Sequence, residues 1–273
     1  MTAVTEPAAG GFAPAARILG NETGKGLRLL WRRCGLMITG IVAAAFTYSM
    51  IRFLVGGGHI TSSLVAVTLP ALLLGYVFAN GGALQGSGGI AEEVNGGTLE
   101  QAHLSPARPT LLILGRLTAL AAEALIVAAV LGLGFGLGYG VRYSVRPDVL
   151  VPLLLTIADA LGYALLMTAL TLRVASIGAI VHVFGMVIMV FNGMLVPVSV
   201  FPHGVELFAR FVPTTLGVEV MNTALAGRPL GAAWSDGALP WLLVHVAVTA
   251  ALGWAIYLHT VSRARREGGL SPR

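Results

Sequence analysis

Four titratable side chains stand inside stretches that are otherwise apolar: Glu123, Asp159, His182 and His245. Such groups carry protons, ligate metals or meet charged cargo. An ionised group at the centre of a bilayer costs on the order of 3 kcal/mol on insertion scales, so each has to face an interior or a partner. Two uses stand open. One is a polar patch in a translocation path, suited to a cationic amphiphile. The other is hydrogen bonding between helices, with an acid held neutral. No two of the four sit at i, i+3 or i+4 on one helix, which argues against a metal site. No spacing supports a Ser-His-Asp or Cys-His arrangement.

Phosphate chemistry has two look-alikes. Gly20 to Gly26, GNETGKG, approaches a nucleotide-binding P-loop, but its glycines are one residue too close and Gly26 stands where Ser or Thr should meet magnesium. The ladder Gly132, Gly134, Gly136, Gly138, Gly140 imitates a dinucleotide loop, yet lies in an apolar run with no strand before it. At helical spacing it reads as small-xxx-small packing of Gly132, Gly136 and Gly140. Nothing in the chain is expected to hydrolyse ATP.

The third unusual stretch is polar and acidic. Ala91 to Pro106 reads AEEVNGGTLEQAHLSP. Ile90, Val94 and Leu99 suit a short amphipathic helix that leaves Glu92, Glu93 and Glu100 exposed. Gly96 and Gly97 interrupt it, and Pro106 and Pro109 punctuate the entry to the next apolar run. A solvated loop is the plainer alternative.

The elements that must position these residues are membrane spans. The chain is 56% hydrophobic and only 11% charged, against roughly one-quarter charged in soluble domains. A span needs about 20 mostly apolar residues, and six segments qualify: 34–55, 61–80, 110–139, 149–170, 174–198 and 238–260. With the N-terminus in the cytoplasm, twelve of the seventeen Lys and Arg lie inside. Only Arg52, Arg142, Arg146, Arg210 and Arg228 lie outside. Both termini are then cytoplasmic, and Arg52 is expected to snorkel to the headgroups. Residues 1–24 read as a flexible N-terminus, 25–33 as an interfacial helix, 34–260 as the membrane domain and 261–273 as a basic tail. The apolar run from 34 lacks a cleavage site and reads as a retained helix. Cys34 is the single cysteine, so no intrachain disulfide can form. The basic charges flank apolar runs as topology signals do, which argues against nucleic acid as a partner.

Glu93, Gly97, Thr98, Leu99, Glu100, Ser105 and Pro106 resemble a segment that ABC-2-type permeases carry between their second and third helices. A second similarity runs through Asn192-Gly193-Met194-Leu195-Val196-Pro197, Phe201-Pro202 and Val212-Pro213-Thr214. The resemblance implies an all-α membrane protein with six transmembrane helices, a cytoplasmic coupling helix over 91–104 and an outer re-entrant helical hairpin over 199–237. It implies the permease subunit of an exporter in a bacterial plasma membrane, with ATP and magnesium bound by a separate ABC ATPase subunit and no cofactor on this chain. A second permease copy or paralogue would complete the unit, with membrane lipid around it. Glu92, Glu93, Gly97, Thr98, Leu99 and Glu100 would couple to the ATPase. Glu123, Asp159, His182, Asn192, Gly193 and Pro197 would serve the path or its gate, Gly193 and Pro197 by letting the fifth helix bend. The cargo expected is a hydrophobic small molecule, drug or lipid-like compound. A proton- or ion-coupled carrier using Glu123 and Asp159 as its relay is the competing reading.

Overall fold

The computed structural model describes residues 12–32, 34–95, 109–172 and 177–267. The described residues form helices and connecting turns. In chain order these are α1 (Phe12–Arg32), α2 (Cys34–Val55), α3 (Ser62–Ala71), a π-helical stretch (Leu72–Gly81), α4 (Gly82–Asn95), α5 (Pro109–Gly138), α6 (Leu150–Thr171), α7 (Ile177–Phe191), α8 (His203–Ala209), α9 (Thr215–Leu225), α10 (Leu230–Ser235) and α11 (Ala238–Glu267).

Five helical rods are long and apolar enough to cross a membrane: Cys34–Val55, Ser62–Gly89, Thr110–Gly138, Pro147–Thr171 and Ala238–Arg263. They match five of the six expected spans. The second is longer than expected: the helix passes Gly82 and Gly86, which pack on Ala164 and on Thr168 and Leu120, and runs on to Asn95. The sixth expected span, 174–198, is represented by α7, which has 15 residues and ends at Phe191. That is shorter than a straight crossing requires.

α1 begins at Phe12, inside the stretch expected to be flexible, and runs through the interfacial segment as one helix. Its apolar side chains at the C-terminal end stay uncovered: Trp31 is 81% exposed. This suits a helix lying in a headgroup boundary. Gly26, the last glycine of its GNETGKG stretch, has a packing use. A Cβ on Gly26 would stand 2.4 Å from the Ala119 Cβ, and one on Gly115 would stand 2.5 Å from the Glu22 Cβ. α1 therefore lies tightly along the start of α5, with the Thr23 and Thr118 hydroxyls 2.7 Å apart.

The ladder of glycines at 132–140 behaves differently from expectation. Gly132 approaches only Leu73, and a Cβ at Gly134, Gly136, Gly138 or Gly140 would meet nothing within 4 Å. The close helix–helix seam lies instead between α6 and α11, where a Cβ on Gly253 would stand 2.8 Å from the Gly162 carbonyl oxygen. Without a hydrophobic drive between helices in lipid, such backbone approach is a main source of attraction.

The principal core gathers Tyr48, Leu69, Leu72, Phe78, Tyr163, Ile188 and Met194 from α2, the second rod, α6 and the end of α7. Leu216, Val220 and Leu242 form a separate cluster beneath the short helices between Val198 and Ser235.

Candidate functional site

Asp159 occupies the middle of α6, 1% exposed, and is fully engaged. Its Oδ2 accepts from the Thr214 backbone N–H at 2.8 Å. Its Oδ1 accepts from the Thr249 hydroxyl at 2.9 Å and lies 2.8 Å from His245 Nδ1. His245 Nε2 is 3.1 Å from the Phe211 carbonyl oxygen. A carbonyl only accepts, so Nε2 carries hydrogen. The Nδ1–Oδ1 contact then holds one further proton, and the pair is neutral as a unit. That neutrality is what makes its burial between helices tolerable.

The four residues tie α6 and α11 to the connection between α8 and α9. Thr214 sits there at φ 71°, the one non-glycine residue with positive φ among the described residues. A β-branched residue in that region is strained and persists only where surroundings over-determine it. The Asp159 bond supplies the constraint. His245 and Thr249 lie one helical turn apart on α11, a spacing that hints at a shared partner. The sequence singled out Thr214 only as part of the Val212-Pro213-Thr214 similarity, not as a partner of Asp159.

A second knot closes the end of α7. The helix ends at Phe191, before Gly193 and Pro197, so these two residues turn the chain after the helix and do not bend it. Asn192 is fully buried. Its Nδ2 donates to the Ala71 carbonyl at 3.0 Å, and its Oδ1 accepts from the Met194 N–H at 3.0 Å. Gly193 stands at φ 92°, open to glycine and strained for other residues. Pro197 is extended and precedes a 3₁₀ turn, Val198–Val200.

Arg52 does not snorkel. It is fully buried and donates to the carbonyl oxygens of Met194 and Leu195, while its guanidinium lies 5.4 Å from the centre of the Tyr48 ring. Carbonyls turned out of the helix by the 192–196 bend are acceptors that a headgroup would otherwise supply. The π-helical stretch receives the same knot, for a Cβ on Gly75 would collide with Asn192 Nδ2 at 1.7 Å.

The remaining expected residues lie elsewhere. Glu123 accepts from Gln85 Nε2 at 2.7 Å. His182 is exposed on α7 beside Val183 and Phe184. Glu92 and Glu93 belong to the last turns of α4, while Gly97, Thr98, Leu99 and Glu100 lie outside the described residues. The Asp159–His245 and Asn192 groups adjoin at Gly75, where an added Cβ would meet both Asn192 Nδ2 and Thr214 Oγ1. Arg52 and Asn192 share Met194, and Glu123 stands with Gln85.

Across the turn from α8 to α9, Arg210 pairs with Glu206 at 3.0 Å and Glu219 at 3.4 Å. Burial pushes the Glu219 carboxyl above the ordinary range, only partly offset by Arg210.

Five membrane-crossing rods, a helix laid along one end and short helices packed at the other define a multi-pass α-helical membrane protein. The chain matches the family described as ABC-2 type transporter over residues 23–225. It belongs to that family. Comparison with curated proteins gives no significant match.

Proposed function

We propose that this chain is the permease subunit of an ATP-driven exporter. The observation that carries the reading is the family match, which extends from α1 to α9 in a chain whose one P-loop-like stretch is a packing surface. Hydrolysis then belongs to a separate ABC ATPase, which holds the ATP and magnesium. The acidic stretch from Glu92 to Glu100 seats on that partner, at the cytoplasmic side assigned by the basic residues. Two permease chains, identical or paralogous, enclose the path. The exposed His182 face of α7 suits such a neighbour.

The segment 199–237 is the outer re-entrant hairpin in this reading. Backbone that leaves the helix at membrane depth is tolerated where protein or a water-filled cavity covers it, and the Arg52–Asn192 knot provides that cover. Asn192, Gly193 and Pro197 form the gate. The cargo is a hydrophobic small molecule, drug or lipid-like compound leaving the cytoplasm of a bacterial cell.

Affinity purification of the tagged protein in mild detergent tests the reading. A co-purifying P-loop subunit with vanadate-sensitive ATP hydrolysis is the expected result. A preparation without an ATPase, from cells that still transport, would overturn it in favour of a gradient-driven carrier.

A further inference from the structure

A cavity of about 760 Å³ opens between α1, α2, α4, α5 and the π-helical stretch. It is within the size range of small-molecule sites. The charged lining, Glu22, Lys25, Arg116 and Glu123, comes from α1 and the first half of α5, with Leu29, Leu36 and Met37 beside it; Ile41, Val77 and Val127 line the rest together with Asn80. On α5 the lining runs from Arg116 to Val127, about 16 Å at helical rise, and on α2 from Leu36 to Ala44, about 12 Å. With the orientation proposed above, the cavity spans from the inner headgroup zone to near the bilayer middle. Small residues make the room: a Cβ on Gly40, in the α2 wall, would meet nothing within 4 Å.

The charged lining carries both signs, two acids and two bases. A purely anionic head would lie against Glu22 and Glu123, and a purely cationic one against Lys25 and Arg116, in each case as like charges in a half-desolvated space. A head holding an ammonium close to a phosphate or carboxylate matches both. We propose that this cavity binds a zwitterionic amphiphile from the inner leaflet, with its head between Lys25, Arg116 and Glu123 and its apolar body against Ile41, Val77 and Val127. The proposal deepens the export reading, on which its orientation rests, by naming a cargo class and a docking place. Two sources share this chemistry, a resident bilayer phospholipid and a single-chain exported compound.

The test is fluorescence anisotropy with the purified full-length chain in maltoside micelles. The probe is lysophosphatidylethanolamine labelled on its acyl chain. Wild type should bind it at least tenfold more tightly than the same chain carrying a phosphatidic acid head or a neutral glycerol head. Gly40→Phe, which fills the cavity from a position free of clashes, and Lys25→Glu, on an exposed surface of α1, should each weaken binding tenfold or more. Val248→Ser, on an exposed face of α11, should leave it unchanged. Equal affinity for the three heads, or wild-type affinity in Gly40→Phe, would overturn the proposal. Displacement by two-chain phosphatidylethanolamine would assign the site to bilayer lipid; displacement by single-chain compounds alone would assign it to cargo. The assay needs no ATPase, so its failure leaves the exporter reading standing, and a missing ATPase leaves this site standing.

Discussion

The carboxylate of Asp159 accepts the backbone N–H of Thr214 across 2.8 Å, joining the middle of α6 to the left-handed residue that starts α9. The same carboxylate meets His245 and Thr249 on α11. Asp159→Asn retains the volume but replaces an oxygen with a donor that faces other donors. Breaking a buried network of this kind costs about 3 kcal/mol. A markedly lowered apparent Tm is expected in detergent, and in combination with His245→Ala the two losses should be strongly non-additive. An unchanged Tm with altered substrate profile would instead place Asp159 in the path.

Arg52 is the corresponding tie for the end of α7. Arg52→Ala leaves the Met194 and Leu195 carbonyls without their donor and opens a void beside Tyr48. The expected loss is about 3 kcal/mol, and Arg52→Lys should recover only part of it. Both carbonyls bond the one terminal Nη2, and a shorter lysine that could donate to them still lacks the planar group beside the Tyr48 ring. Limited proteolysis should show new cleavage between residues 192 and 201 in Arg52→Ala.

The seam of α1 on α5 can be read by cross-linking. With Cys34 replaced by serine, Thr23→Cys and Thr118→Cys should form a disulfide under mild oxidation, since the hydroxyls they replace are 2.7 Å apart. Adding Gly26→Leu, whose Cβ would stand 2.4 Å from that of Ala119, should abolish the cross-link. Cross-linking that persists would show that α1 approaches α5 by another face.

Glu219 links stability to pH. Its carboxyl is raised above its ordinary value of 4.5, chiefly by burial. The folded state therefore binds the proton more tightly than the unfolded one. That contribution is complete below the ordinary value and is lost as pH rises through the raised folded value. Wild type should lose stability relative to Glu219→Gln as pH rises above 4.5, the variant giving the flatter profile in thermal unfolding. The reverse order at neutral pH would mean that the Arg210 pair outweighs the burial.

The coupling assignment has its own variant. Glu93→Lys with Glu100→Lys reverses the charge of the acidic stretch. The pair should reduce ATPase co-purification and transport severalfold while leaving the detergent Tm within about a degree of wild type, if the exposure expected from the sequence holds. Retained transport with full ATPase recovery would remove the stretch from the interface.

Much of the architecture was legible in the chain because the bilayer reduces the problem to length and polarity. A span must satisfy its own backbone hydrogen bonds, so an apolar run such as Cys34–Val55 can be located residue by residue. The family was legible for a related reason: Asn192–Pro197 and Val212–Thr214 lie in helix connections, where side-chain type is constrained locally. Composition also announced that Asp159 and His245 needed partners, though not which ones. Helix ends were less legible. The second rod runs on through Gly81–Gly89, with Gly86 packed on Thr168 and Leu120. α7 ends at Phe191, after which Gly193 takes a positive φ and Arg52 and Asn192 bond the Met194 and Leu195 carbonyls and the Met194 N–H.

Three relationships belong to the tertiary structure alone: Arg52 with Met194, Asp159 with Thr214, and the cavity walled by α1, α2, α4 and α5. Each joins residues far apart in the chain, and each depends on which face of a helix meets its neighbour. Hydropathy places a helix at a depth but leaves its rotation free, because lipid and protein interiors are equally apolar. Close backbone approach at Gly26, Gly115, Gly162 and Gly253, with a few buried polar contacts, sets that rotation. The same rotation decides that Arg52 turns inward and His182 outward.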